Sequence, residues 1–203
     1  MNFPALTTER LVLREWKEAD MDRLLELLNN KNISRMLSTV PHPFLRQDAE
    51  TYLKRFMPAD LDRLTGWAIL WEGSVIGGCA LVVIGERPEI VFWLGQAYWR
   101  RGFMSEALTA VIAYAFEQRG LQELVAEVYT DNPASIHLLL KFGFSMTGEG
   151  ADKSAGRDGH SYPFYVFSLH AEEFIDCAPP PKKVSFNDFS RVAYSAAASE
   201  AAS

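Results

Sequence analysis

Apolar positions recur along this chain with two different periods, and each change of period marks a boundary between elements. Leu11-Val12-Leu13-Arg14 is a short apolar run behind Thr7 and Thr8 and predicts a first strand. From Met21 the period lengthens. Met21, Leu24, Leu25 and Leu28 recur at spacings of 3, 1 and 3, the apolar face of a helix, with Asp20 as its N-cap and Asn29-Asn30 as its end. Lys31 to Phe44 carries Pro41 and Pro43 and is expected to be a loop or to contain only a short helix. A second helix should start near Gln47 or Asp48 and continue through Tyr52, Leu53 and Phe56, with Pro58 breaking or bending it. Strands are predicted over Trp67–Trp71 and Val75–Ile84, joined by the turn Glu72-Gly73-Ser74. Gly77-Gly78 inside the second of these suggests a bulge or a close backbone approach. Pro88 precedes a further strand, Glu89–Leu94, and these pieces make an antiparallel meander.

The most regular stretch comes next. Met104, Ala107, Leu108, Val111, Ile112, Ala115 and Phe116 fall at spacings of 3, 1, 3, 1, 3 and 1, which predicts a long amphipathic helix. Arg119 sits in its last turn and Gly120 can take the left-handed cap. Glu123–Tyr129 then alternates as a strand. A strand, a crossover helix and a strand imply that Glu89–Leu94 and Glu123–Tyr129 run parallel. Asn132 and Pro133 have the chemistry of an N-cap and a first helical position, for a helix to about Phe142 that stops at Gly143. Phe144–Thr147 begins another strand, polar Gly148–Ser161 reads as a loop, and Tyr162–Leu169 is the last clear strand. The fold class expected is mixed α/β, with a mixed antiparallel and parallel central sheet flanked by helices.

Composition narrows the setting. The 203 residues suit one well-packed domain, and 48% hydrophobic with 23% charged residues is ordinary for a soluble globular chain. A net charge of −6 argues against nucleic acid or an anionic membrane as a partner of the whole surface. No apolar run reaches spanning length, and the N-terminus MNFPALTTERL lacks the form of a secretory signal, so a cytoplasmic location is expected. Cys79 and Cys177 form no disulfide framework, and neither they nor His42, His137, His160 and His170 have metal-ligand spacing, so no metal is expected. From Cys177 the chain turns to Pro179-Pro180-Pro181, Lys182-Lys183 and SAAASEAAS. Residues 1–176 are therefore read as the folded domain and residues 177–203 as a flexible tail with no core of its own.

One turn offers chemistry. Trp99-Arg100-Arg101-Gly102 leads straight into the long helix, and a helix start presents unpaired N–H groups and the positive end of its dipole, which suits an anion such as phosphate. Taken alone, the two arginines are equally well read as solvated and Gly102 as a residue that permits the turn.

Three separated pieces add to it: LTTERLVLREWKEADMDRLLELL at residues 6–28, EIVFWLGQAYWRRGFMSEAL at 89–108 and TDNPASIHLLLKFGF at 130–144. Their order and spacing resemble the GNAT acetyltransferases, and more narrowly the RimJ/RimL-like branch that acetylates ribosomal-protein N-termini. The resemblance covers roughly residues 6–170. It implies acetyl-CoA as co-substrate, with the pyrophosphate held by the turn and helix start at Arg100, Arg101, Gly102, Phe103, Met104 and Ser105. Only Gly102 keeps the family's strict glycine-rich pattern. The long Met104 side chain must turn away from the phosphates. The strand Glu89–Leu94 should splay from its parallel neighbour, so that backbone groups of Trp93 and Leu94 pair with the pantetheine amides. Asn132 would contact the same arm.

Acyl transfer to an amine needs a base, because an ammonium group cannot attack a thioester. It also needs a donor for the developing oxyanion, expected near the Leu94 N–H, and a proton for the departing thiolate. Glu89 matches the catalytic glutamate of several family members and is the candidate base. Ser135 matches the residue near the sulfur and is the candidate proton donor, with Tyr129 as a rival and helix capping as the alternative role of Asn132 and Ser135. His160 is a secondary acid/base candidate. The cysteines lack a basic neighbourhood, so direct attack in a ternary complex is expected rather than an acyl-cysteine. The acceptor is a primary amine, either a protein N-terminus or a small molecule. The segments Lys31–Phe44 and Gly148–Ser161 should wall it in, with Asp152, Arg157 and Asp158 available to read charge. A homodimer is left open. The alternative is an acyl-CoA-binding sensor or scaffold without turnover; a nicotinamide dinucleotide enzyme is disfavoured because no G-x-G-x-x-G follows an early strand.

Overall fold

The computed structural model describes residues 2–57, 60–84, 87–157 and 159–174. The expected bend at Pro58, the charge at Asp158 and the tail from Cys177 lie outside the described residues. The N-terminal runs form β1 (Leu6–Thr7) and β2 (Leu11–Glu15), then helices α1 (Met21–Leu28), α2 (Lys31–Ser34) and α3 (Arg46–Phe56). The meander is β3 (Leu64–Trp71), β4 (Ser74–Ile84) and β5 (Arg87–Leu94). After it come α4 (Phe103–Ala113), β6 (Glu123–Tyr129), α5 (Pro133–Lys141), β7 (Ser145–Lys153) and β8 (Ser161–His170). All eight strands join one sheet in the order β1-β2-β3-β4-β5-β6-β8-β7. Strands β5 and β6 are parallel and their neighbours antiparallel, so the expected mixed sheet flanked by helices is the fold.

Alternation along the strands sends side chains to two cores. Leu11, Leu13, Ile69, Ile76, Ile90 and Leu94 meet Phe103, Ala107, Leu108, Val111 and Ile112 of α4. On the other face Ala68, Ala80 and Trp93 meet Leu24, Leu28, Leu53 and Phe56 of α1 and α3. Burying each of the larger aliphatic chains stabilises the fold by roughly 2 kcal/mol. Strand β5 lies between these layers, and its two faces serve different helices.

Four details depart from the pattern-based expectation. Asp20 makes no cap bond to α1; its carboxylate pairs with both terminal nitrogens of Arg14 at 2.7 Å and accepts from the Lys17 N–H. Pro88 lies inside β5, paired in register with Val83. The helix begun by α4 widens into a π turn at Tyr114–Gln118, which periodicity cannot distinguish from a continuing α-helix. The first part of the polar stretch after Thr147 is strand and not loop, because β7 runs to Lys153; the turn into β8 follows. The exposed edge position of β7 carries no apolar alternation to read, and its glycines are accommodated, with Gly150 backed against the Phe164 ring.

At Gly77 both readings of the glycine pair hold. The β3–β4 register slips beside it, between Ile69 and Leu70. A Cβ on Gly77 would lie 2.4 Å from the Trp93 carbonyl oxygen, so β4 runs close under the end of β5.

Candidate active site

Strands β5 and β6 pair at a single register position, Glu89 with Val125. Beyond it β5 stays with β4 as far as Leu94, while β6 stays with β8 as far as Tyr129. The two strands therefore diverge, and a cavity of about 700 Å³ fills the wedge between them. The start of α4 closes one end and residues of α2 and its following loop wall the other.

The wedge exposes backbone. In an antiparallel pair the residues that exchange backbone bonds alternate. The Gly95 N–H donates to the Ile76 carbonyl, so Gly95 and Trp93 turn their peptide groups toward β4. Those of Phe92 and Leu94 face the cavity. The sequence expectation paired Trp93 with Leu94; in the structure the Trp93 backbone points to β4, and its indole donates to the Tyr52 hydroxyl at 2.9 Å. The Leu94 carbonyl accepts from the Trp99 indole N–H at 2.8 Å. The peptide edge left toward the cavity is thus the Leu94 N–H and the Phe92 amide.

At the α4 end, Gly102 takes φ +79°, a left-handed value that side chains with a Cβ adopt only at a cost. The bend lays the first turn of α4, with its unpaired N–H groups, against the cavity. Arg100, Gly102, Phe103, Met104 and Ser105 line it there. Met104 lies largely in the core. Arg101 turns elsewhere: its guanidinium stacks 4.4 Å over Trp71 and 4.8 Å over Phe103. Glu106, in the same turn of α4, binds Arg10 and the Thr8 hydroxyl and so ties β1 and β2 to the helix start. Burial pushes its carboxyl up, but the bonds from Thr8 and Arg10 outweigh that and lower it overall.

Glu89 shares a sheet face with Val91 and Trp93, and alternation along β6 puts Glu127 and Tyr129 on that same face. Glu89, Glu127, Tyr129 and Asp152 all line the cavity. Burial, followed by the Glu127 charge, pushes the Glu89 carboxyl up to about 6, against the pull of Arg55 and Arg87. A carboxylate with that pKa can hold or release a proton near neutral pH. Cys79 is buried, and burial pushes its thiol up, which keeps it from acting as a nucleophile.

Asn132 and Ser135 line the wall opposite β5. Asn132 is the N-cap of α5, its Oδ1 accepting from the Ser135 N–H at 3.2 Å. Tyr129 is buried, hydroxyl included. His160 is exposed and stands outside the cavity lining, whereas His137 is part of it. Arg157, expected to read charge at the rim, is buried and engaged by Asp131. Glu127 escaped the sequence reading although strand alternation from Tyr129 would have found it. Trp99 and Arg157 were named, but their partners, the Leu94 carbonyl and Asp131, were not, because no sequence period records them.

The residues present fit an acyl-CoA arm: an anion-binding helix start, an open peptide edge and a capped helix start surround one elongated space. Among the described residues, no three His, Cys, Asp or Glu side chains gather as a metal site, and no helix is long and apolar enough to cross a membrane.

Residues 10–145 match the model of the acetyltransferase (GNAT) domain. The chain is 32% identical over 152 residues to an uncharacterized N-acetyltransferase, YoaA, of Bacillus subtilis, covering 72% of this chain and 85% of that one. It is 30% identical over 97 residues to the ribosomal-protein-serine acetyltransferase of Escherichia coli, covering 48% of this chain and 50% of that one. Among solved structures, RimL, a ribosomal L7/L12 alpha-N-protein acetyltransferase in complex with coenzyme A, superposes with a TM-score of 0.69 at 18% identity, over 86% of this chain and all of that one.

Proposed function

This chain belongs to the GNAT acetyltransferase family and is an acetyl-CoA-dependent N-acetyltransferase, and on that premise we propose how it transfers the acetyl group and to what. The acceptor is a primary amine, at a protein N-terminus or on a small molecule, that enters on the sheet face bearing Glu89, Glu127 and Asp152. Acetyl-CoA supplies the activated acyl group. The first-turn N–H groups of α4, with Arg100, hold its pyrophosphate. The peptide edge of Phe92 and Leu94, with Asn132 opposite, holds the pantetheine arm.

Glu89 takes the proton that the acceptor ammonium must lose, directly or across one water. The Leu94 N–H stabilises the charge that develops on the acyl oxygen; the other end of that peptide, the Trp93 carbonyl, is turned toward β4, which keeps the N–H aimed at the cavity. As the intermediate collapses, the proton still on the attacking nitrogen is lost, and Ser135 relays a proton to the departing thiolate and is replenished by that one. The acidic lining favours acceptors that arrive as cations. The observation that carries this reading is the place of Glu89: a half-buried carboxylate at the branch point of β5 and β6, inside the cavity that begins at the α4 turn.

Labelled acetyl-CoA incubated with N-terminal peptides, amino acids, polyamines and aminoglycosides should pass label to one of these classes. Glu89→Gln should lower kcat by about 10²-fold with coenzyme A binding retained. Unchanged turnover at neutral pH would remove Glu89 from the mechanism. Binding of acetyl-CoA with no label transferred to any class would favour a sensor.

A further inference from the structure

Among the described residues, the cavity wall formed by residues 32–38 pairs with no strand and has only one helical turn, α2, to stiffen it. Ile33 seats its start in the core, and what holds the rest comes from the far end of the sheet. The turn between β7 and β8 reaches three of its carbonyls: Arg157 Nε donates to the Arg35 carbonyl, Ser154 Oγ to the Leu37 carbonyl at 3.2 Å, and the Ala155 N–H to the Ser38 carbonyl at 2.9 Å. Gly156 lies flat against the wall, where a Cβ would come within 2.5 Å of the Ser34 carbonyl oxygen.

Arg157 is the centre of this contact. Its side chain is 6% exposed. The guanidinium lies 4.5 Å over the Tyr129 ring and 4.4 Å over the Tyr162 ring, and its two terminal nitrogens grip Asp131 at 2.9 and 2.7 Å. Asp131 also takes Arg35 at 2.8 Å. One buried cation thereby connects three things: the wall, the end of β6 and the turn that precedes Asn132 and Ser135. A planar fork between two rings is a site that lysine cannot fill.

We propose that Arg157 is a positioning residue for the acceptor: through Asp131 and the Arg35 carbonyl it sets the 32–38 wall at a fixed distance from Glu89 and thereby defines the space the amine occupies. The inference rests on the acetyl-transfer reading of the cavity. Arg157 touches the wall, Asp131 and two tyrosine rings and neither the β5 edge nor the α4 turn, so its effect falls on the second substrate more than on coenzyme A, which it reaches only through the residue before Asn132.

The test compares Arg157→Lys and Asp131→Asn with the wild type. Asp131 is 45% exposed, so its variant perturbs folding less than truncation of a buried cation. Each should raise KM for the amine by about tenfold, the worth of a charge-assisted hydrogen bond, with KM for acetyl-CoA and kcat within about twofold. The double variant should lose little more than either single one, as members of one contact do. Equal movement of both KM values, or of neither, overturns the proposal. Amide hydrogen exchange supplies a readout that needs no turnover. Exchange over residues 33–38 should accelerate in both variants, with residues 103–112 unchanged. Unaltered exchange in the wall overturns the proposal even where the wild type proves inactive, an outcome that by itself would count against the acetyl-transfer reading instead.

Discussion

At the α4 end of the cavity the chain folds on its near neighbours. The end of β5, the left-handed Gly102 and the first turn of α4 follow one another within a dozen residues, and what they offer a ligand is mostly backbone. At the wall end the fastening is distant. Residues 35 and 157 meet across most of the chain, and the material is side chains: a guanidinium, two phenol rings and a carboxylate. The first end needs few particular side chains and one particular backbone angle. The second needs particular side chains, and its one demand on backbone is the close approach at Gly156. An acetyltransferase must hold one constant co-substrate and one specific acceptor, and on the proposed reading the division of materials matches that division of tasks.

The contrast can be broken at several points. The largest effect should come from Phe103→Ala. Phe103 is 1% exposed and carries both Arg10 and Arg101 on its ring, so truncation should cost about 3–5 kcal/mol in denaturant unfolding. A small loss would mean that the helix start is not anchored in the core.

The rate should depend on pH through Glu89. It works as a base only when deprotonated, so kcat/KM should fall below a midpoint near pH 6, about tenfold for each further unit, and Glu89→Gln should abolish that limb. The folded protein holds this proton more tightly than the unfolded chain does. Stability from this group is therefore greatest below the ordinary carboxylate range and declines as pH rises toward 6. A rate profile flat from pH 5 to 8 would exclude Glu89 as the titrating base.

Gly102→Val should raise KM for acetyl-CoA by roughly tenfold, because a left-handed residue with a branched side chain costs about 1–2 kcal/mol. KM for the amine should not move, the mirror image of the Arg157 variants. Arg101→Ala should change either constant less than about threefold, since exposed charges contribute little. Smallest of the stability effects, Asn132→Ala should cost about 1 kcal/mol by removing a helix cap.

What the sequence disclosed follows the same line. The α4 face was legible from its 3-and-4 spacing because a helix on a sheet buries one stripe. The parallel pairing of β5 and β6 followed from a crossover helix between two strands. Asn132 and Pro133 named their own positions. The strand β7 was not legible: at an exposed edge neither face is buried, so glycine and polar residues look like loop. Pro88 was read as punctuation because a missing N–H normally ends a strand, yet here its nitrogen faces away from β4. The Arg157 contact was beyond reach, since no local period records which distant carboxylate a buried arginine meets. Even Trp93 was placed on the right strand but one residue out of phase with the peptide edge.

The grip on residues 35, 37 and 38 is taken on carbonyl oxygens, which every amino acid possesses. The wall can therefore change its lettering without loosening its fastening: Ser38 is free to be redrawn, and Leu37 among apolar residues that keep its packing on the core, while the turn at 154–157 keeps hold of the same atoms. A collection of variants redrawn within those limits at the two positions should retain the fold and diverge in the amines it accepts, so that the part of the protein that chooses can wander while the part that carries the acetyl donor stands still.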